Sequence, residues 1–141
     1  MEGYLNDPRE TREVLRPDGW FRTGDLATMS ASGEVRIVGR QRERILRGGH
    51  SVFPSEVESV LLTHPDVAEA AVVGVPHAEL GEDIAAFVVL RPGAGTTADA
   101  LVAHCRERLA GYKYPRRVTL MAALPRSSTG KVLKAKLAAE T

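Results

Sequence analysis

Four short stretches of this sequence carry residue types that can do chemistry. Thr23-Gly24-Asp25 places a carboxylate beside a glycine. Both oxygens of a carboxylate accept hydrogen bonds, so the group can hold a sugar diol; an aspartate there also serves an ordinary turn. Arg40, Arg42, Arg44 and Arg47 form a cluster interrupted by Glu43. Guanidinium forks match phosphate oxygens, and the same charges on a strand edge simply discourage aggregation. Gly48-Gly49, followed by His50-Ser51, permits positive φ and close approach of a ligand to backbone, as it also permits a plain loop. Pro125-Arg126-Ser127-Ser128-Thr129-Gly130-Lys131 is a polar loop offering one ammonium near a predicted helix start. It is not a nucleoside-triphosphate P-loop. Pro125 stands where that pattern needs its first glycine, and Val132 replaces the Ser or Thr after the lysine. Read by itself, the segment offers an ordinary surface lysine.

Other chemistries are excluded or weak. His50, His64, His77 and His104 share no metal-ligand spacing with one another or with Cys105, so no metal site is expected. Cys105 falls on the apolar stripe of a predicted helix and reads as core. A single cysteine excludes an internal disulfide framework and fits a reducing, cytoplasmic setting. Nineteen Lys and Arg balance eighteen Asp and Glu, a net charge of +1. That balance argues against a dedicated nucleic-acid or acidic-membrane binder. No apolar stretch approaches the roughly 20 residues of a membrane span, and no signal pattern opens the chain.

The elements that must position these residues follow from length and periodicity. At 141 residues, 43% hydrophobic and 26% charged, the chain suits one domain, or one domain with an appendage. Asp7-Pro8 starts a small helix ending near Leu15, and residues 17–19 turn. Residues 20–29 and 34–38 read as a hairpin around Ser30-Ala31-Ser32-Gly33. Such a hairpin cannot bury its own face, so Trp20, Phe21, Leu26, Val35 and Ile37 need a partner surface. After residue 40 the pattern becomes α+β. Residues 44–46 are a short strand candidate, 54–62 and 97–109 are helices, and 131–139 is a closing helix. The apolar runs 67–75 and 84–90 read as strands covered on both faces, with 117–121 as a third. The expectation is a small three-stranded sheet flanked by helices, preceded by the orphan hairpin.

Taken in order, these segments resemble one family. Gly19-Trp20-Phe21-Arg22-Thr23-Gly24-Asp25-Leu26, Val38-Gly39-Arg40, Gly48-Gly49 with residues 52–58, the run 65–76, Leu109-Ala110-Gly111-Tyr112-Lys113 and the loop 125–131 are similar to the adenylate-forming superfamily. Its members are acyl-CoA synthetases, adenylation domains of nonribosomal peptide synthetases, and luciferases. The resemblance implies that residues 1–41 are the tail of a large N-terminal AMP-binding domain and that 42–141 are a complete C-terminal lid domain. The chain is then expected to be a fragment of a longer enzyme and inactive alone, with that N-terminal domain as its partner. The hairpin left without it offers a surface for self-association.

The resemblance also implies roles. The reaction joins a carboxylic acid to ATP, giving acyl-adenylate and pyrophosphate, and then passes the acyl group to the thiol of CoA. Lys131 matches the lysine serving the first half-reaction, and Asp25 and Arg40 match residues at the ribose and phosphate of ATP or AMP. Arg42 stands at the hinge about which the lid rotates, where the family usually has Asp or Lys. Gly48 and Gly49 would then line the pantetheine tunnel of CoA; His50-Ser51 follow them where the family commonly has Glu-Asn. Mg2+ accompanies ATP and is held mainly by the N-terminal domain, as is ATP itself. Relatives are acetylated at the matching lysine. Two other readings stay open: an adenylation domain loading a carrier protein, and a non-catalytic anion-binding module using Arg40 to Arg47 as a basic stripe.

Overall fold

Asp7 and Pro8 start the first helix as their chemistry dictates. In the computed structural model, which describes residues 1–140, the Asp7 carboxylate accepts from the Glu10 amide at 2.8 Å at the head of α1 (Pro8–Val14). Proline in that first turn loses no hydrogen bond, because its missing N–H would have been an orphan anyway. The hairpin follows as β1 (Asp25–Met29) and β2 (Val35–Arg40), antiparallel, with Asp25 opposite Arg40 and a register shift between Leu26 and Ala27.

The first strand begins later than the apolar run suggests. Phe21 makes only an isolated bridge to Leu15. Gly24 takes a φ of 76°, and the Thr23 hydroxyl accepts the Asp25 amide at 3.0 Å. That local turn breaks the extended run, so the ladder starts at Asp25. No residue of this part is buried, and Trp20, Val35 and Ile37 are 73%, 65% and 66% exposed. Met1–Arg42 and Glu43–Thr141 are two compact units, with a single 3₁₀ turn, Gln41–Glu43, along the chain between them.

The second unit is α+β. It opens with a ribbon, β3 (Ile45–Arg47) and β4 (His50–Val52), then α2 (Pro54–Leu62). β5 (Val67–His77) and β6 (Gly81–Leu90) pair antiparallel over their whole length. α3 (Ala98–Arg108) then leads to β7 (Arg117–Met121), which pairs parallel with β6, and α4 (Lys134–Ala139) ends the described chain. The three long-predicted strands are β5, β6 and β7. The ribbon joins them through Arg47 opposite Gly81, making five strands. β3 answers to the strand candidate at 44–46, whereas β4, three residues long and too short for alternation to reveal, is an addition. Pro76 is accommodated because β5 is an edge strand.

Both faces of the sheet are covered, as the continuous apolar runs predicted. Along β6, Ile84, Ala86 and Val88 face a core built with Val57 and Leu61 of α2 and Leu101 and Cys105 of α3. Ala85 and Phe87 face the opposite core, with Leu124 and Leu137. Strand side chains alternate sides, so each face receives every second residue. Gly74 on β5 leaves room for a neighbour: a Cβ there would lie 2.8 Å from Glu82 Oε1 and would displace that carboxylate. That carboxylate's other oxygen accepts the Leu46 amide at 2.7 Å, tying the ribbon to β6.

Candidate functional site

Asp25 and Arg40 are brought together by hairpin register. Asp25 is the first residue of β1 and Arg40 the last of β2, directly opposite. Arg40 Nε lies 3.2 Å from Asp25 Oδ1. The pair is half-open to solvent, the arginine 66% and the aspartate 25% exposed, so it adds little to stability. It is well placed for recognition: carboxylate acceptors beside a guanidinium can take a diol and an anion together. Arg40, Gly24, Thr23 and Arg22 line a cleft of about 680 Å³ within the first unit. Arg42 is exposed, the last residue of that unit, in the 3₁₀ turn.

Lys131 sits on a tightly bonded loop of the second unit. The Ser127 amide donates to the Lys131 carbonyl at 2.8 Å, and the Gly130 amide to the Ser127 carbonyl at 2.9 Å. The Lys131 amide donates to Ser127 Oγ at 3.2 Å. Arg126 and Val132 form an isolated bridge, and the Leu133 amide returns to the Pro125 carbonyl. This bonding delays the helix: α4 begins at Lys134, three residues beyond the predicted start at Lys131. Lys131 is exposed, and among the described residues no carboxylate pairs with its ammonium. The loop therefore presents a free positive charge.

Gly48 and Gly49 are the two central residues of the β3–β4 hairpin, with φ of 54° and 82°. A two-residue turn with both φ positive is type I′, which demands glycine-like residues on conformational grounds alone. Around the turn stands a cluster that residue types did not reveal. His50 stacks on Tyr112 at 4.4 Å between centroids. Lys113 donates to both oxygens of Glu56 at 2.8 and 3.0 Å, and that bond, outweighing its partial desolvation, raises the ammonium above its ordinary range. Arg47 is 8% exposed, with Nε 2.5 Å from Asp83 Oδ1 and one terminal nitrogen donating to the Tyr112 carbonyl at 3.2 Å. It is thus removed from the surface, which corrects the continuous basic stripe from Arg40 to Arg47: its guanidinium braces β3 against β6.

Two further groups went unnoticed in the sequence. Lys134 Nζ bonds Glu43 at 2.7 Å and Glu58 at 2.9 Å. Arg126 bonds Glu69 and the Gly130 carbonyl. Their partners lie far away in sequence, beyond any local signal. Cys105 is fully buried, and burial pushes its thiol up to about 11, which makes it core and not nucleophile. His64 and His104 meet edge to face, yet among the described residues no group of three His, Cys, Asp or Glu could hold a metal. Among the described residues no helix is long and apolar enough to cross a membrane.

Residues 56–131 match the family described as AMP-binding enzyme C-terminal domain. The chain is 46% identical over 137 residues to a sulfoacetate–CoA ligase of Cupriavidus necator, covering 97% of the chain and 27% of the ligase. It is 41% identical to a mitochondrial medium-chain acyl-CoA ligase of Mus musculus, covering 97% of the chain and 22% of that protein. The solved o-succinylbenzoate CoA synthetase of Bacillus subtilis, in complex with its acyl-adenylate intermediate, superposes with a TM-score of 0.90 at 36% identity, over 97% of this chain and 28% of that one. The chain spans about a quarter of the length of the curated relatives it matches. The family match takes in more than half of the residues and ends on Lys131 itself; the chain belongs to the C-terminal domain family of AMP-binding, adenylate-forming enzymes.

Proposed function

We propose that this chain is the C-terminal segment of a carboxylate–CoA ligase, with residues 1–41 as the tail of the AMP-binding domain and 42–141 as the lid. The observation that carries the reading is Lys131: an exposed ammonium with no carboxylate partner among the described residues, on a loop closed by its own hydrogen bonds. In the first half-reaction a carboxylate oxygen attacks the α-phosphorus of ATP, the bond to the β-phosphate oxygen breaks, and pyrophosphate leaves. Two anions must meet, so a cation between them stabilises the developing charge; losing one such preorganised contact costs about 10²–10³ in rate. Lys131 supplies that charge. Asp25 accepts from the ribose hydroxyls and Arg40, held beside it, faces the ribose and phosphate.

In the second half-reaction the thiol of CoA attacks the acyl carbonyl, its proton passes to solvent, and AMP leaves. The lid turns about Arg42 between the two steps, so that Lys131 withdraws and the Gly48-Gly49 turn faces the pantetheine. Hinges need backbone tolerance and not one particular side chain, and exposed Arg42 meets that need. Mg2+ would travel with ATP and supply charge neutralisation at its phosphates; none of the roles given to this chain's residues passes through it. The chain alone is inactive.

The test is a graft. The full chain replaces the matching 137 residues of the sulfoacetate–CoA ligase, and the hybrid is supplied with sulfoacetate, ATP and CoA. Formation of AMP, pyrophosphate and the CoA thioester supports the reading. A folded hybrid that binds ATP yet forms no adenylate rejects it. Transfer to a carrier protein in preference to CoA would replace the acceptor.

A further inference from the structure

The peptide plane just before Lys131 is gripped on both edges. Its oxygen, the Gly130 carbonyl, accepts from Arg126 at 2.6 Å. Its nitrogen, the Lys131 amide, donates to Ser127 Oγ at 3.2 Å. The second terminal nitrogen of Arg126 bonds the Glu69 carboxylate on β5. One guanidinium fork thus connects the sheet to the plane that sets the Lys131 Cα–Cβ direction. Gly130 has a φ of 81°, a conformation open to glycine at little cost, so the plane depends on outside contacts for its orientation.

The loop does not need Arg126 to close. The Ser127–Lys131 and Gly130–Ser127 backbone bonds, and the return of Leu133 to Pro125, close it without that side chain. Buried Leu124 and Leu137 anchor the flanks. The Arg126–Glu69 pair is itself 45% and 42% exposed, and exposed pairs contribute little to folding. An accurately aimed side chain, in contrast, matters greatly to chemistry: a displacement of about 1 Å can cost about 10²-fold.

We propose that Arg126, anchored by Glu69, is a positioning residue for Lys131: it orients the Gly130–Lys131 peptide and so sets where the ammonium is delivered. This rests on the reading that Lys131 serves adenylation, and the test separates the two. The grafted ligase carrying the full chain is prepared with Arg126→Ala, Glu69→Ala, Lys131→Ala and the Arg126→Ala/Lys131→Ala pair. ATP–pyrophosphate exchange reads the first half-reaction, and thioester formation from supplied acyl-adenylate reads the second.

Arg126→Ala is expected to lower exchange by about 10- to 10²-fold and leave the second step unchanged. Glu69→Ala is expected to lower exchange in the same direction. On the Lys131→Ala background, Arg126→Ala has no further effect. Thermal midpoints of Arg126→Ala and Glu69→Ala stay within about 2 °C of the parent. If Lys131→Ala cripples exchange while Arg126→Ala leaves it intact, positioning is wrong and the reading of Lys131 stands. If Lys131→Ala itself is harmless, that reading falls. Faster exchange in Glu69→Ala, or additive losses in the double variant, would make Arg126 a direct electrostatic contact and overturn the proposal. A collapsed midpoint in Arg126→Ala and Glu69→Ala would make the pair structural and overturn it as well.

Discussion

Replacing Lys134 by methionine removes one charge and strands two. The ammonium bonds Glu43 Oε2 at 2.7 Å and Glu58 Oε1 at 2.9 Å, and its side chain is 28% exposed. Glu58 Oε1 also accepts the Val72 amide at 2.9 Å, so that carboxylate is committed to the structure. A hydrogen bond to a charged group contributes about 1.5–3 kcal/mol where it is shielded. The contact to the more exposed Glu43 is worth roughly 0.2–1 kcal/mol. Without the cation, the two carboxylates it bridges repel by up to roughly 3 kcal/mol at an effective dielectric of about 20, before Glu43 swings into solvent. The expected loss for Lys134→Met is about 2–4 kcal/mol, and adding Glu43→Gln should restore about 1 kcal/mol of it. Desolvation alone would depress the Lys134 ammonium, but its bonds to Glu43 and Glu58 win and raise it. A raised cation stabilises fully below its unfolded value, near 10.5, and loses that stabilisation as pH climbs through the folded value. Urea unfolding of the chain, followed by far-ultraviolet circular dichroism at pH 7 and above pH 11, should show the gap between parent and variant shrinking in alkali. A loss below about 0.5 kcal/mol at pH 7, or a gap that survives in alkali, refutes the argument.

Three further outcomes follow from the same geometry. Gly49→Ala places a Cβ in a left-handed conformation, φ 82°, and should cost about 1–2 kcal/mol in the same unfolding measurement; a neutral effect would contradict the type I′ turn. Cys105, buried with its thiol held up near 11, should resist iodoacetamide at pH 8 until the chain unfolds, and rapid labelling of the native chain would show the core misassigned. Acetylation of Lys131 removes its charge and should stop ATP–pyrophosphate exchange in the grafted ligase; a stoichiometrically acetylated enzyme with full exchange, verified by mass spectrometry, would show that the ammonium is not needed.

Periodicity made the second unit readable. Val57 and Leu61, and Leu101 and Cys105, recur one helical turn apart and are fully buried. The apolar runs of β5 and β6 became strands with a core on each face. What escaped was decided by contacts distant in sequence or by single backbone torsions. Gly24, with its positive φ, delayed the start of the predicted first strand to Asp25. Arg47 looked like its neighbours Arg42 and Arg44 until Asp83, on another strand, drew it inside. Glu43 and Lys134 meet across 91 positions, and Glu69 and Arg126 across 57, separations at which no local pattern exists. The site residues divide likewise. Asp25, Arg40 and Lys131 have ordinary local surroundings, and only the ordered resemblance of several segments singled them out; the register that sets Asp25 opposite Arg40 and the bonding that closes the Lys131 loop are properties of the fold.

The most direct measurement compares the two half-reactions of the grafted ligase with and without the Lys131 ammonium. Lys131→Ala should depress ATP–pyrophosphate exchange by at least about 10²-fold, while thioester formation from supplied acyl-adenylate and CoA proceeds at the parent rate. Equal loss in both half-reactions, or none in the first, would contradict the assignment of this chain as the segment that delivers the adenylation charge and then withdraws it.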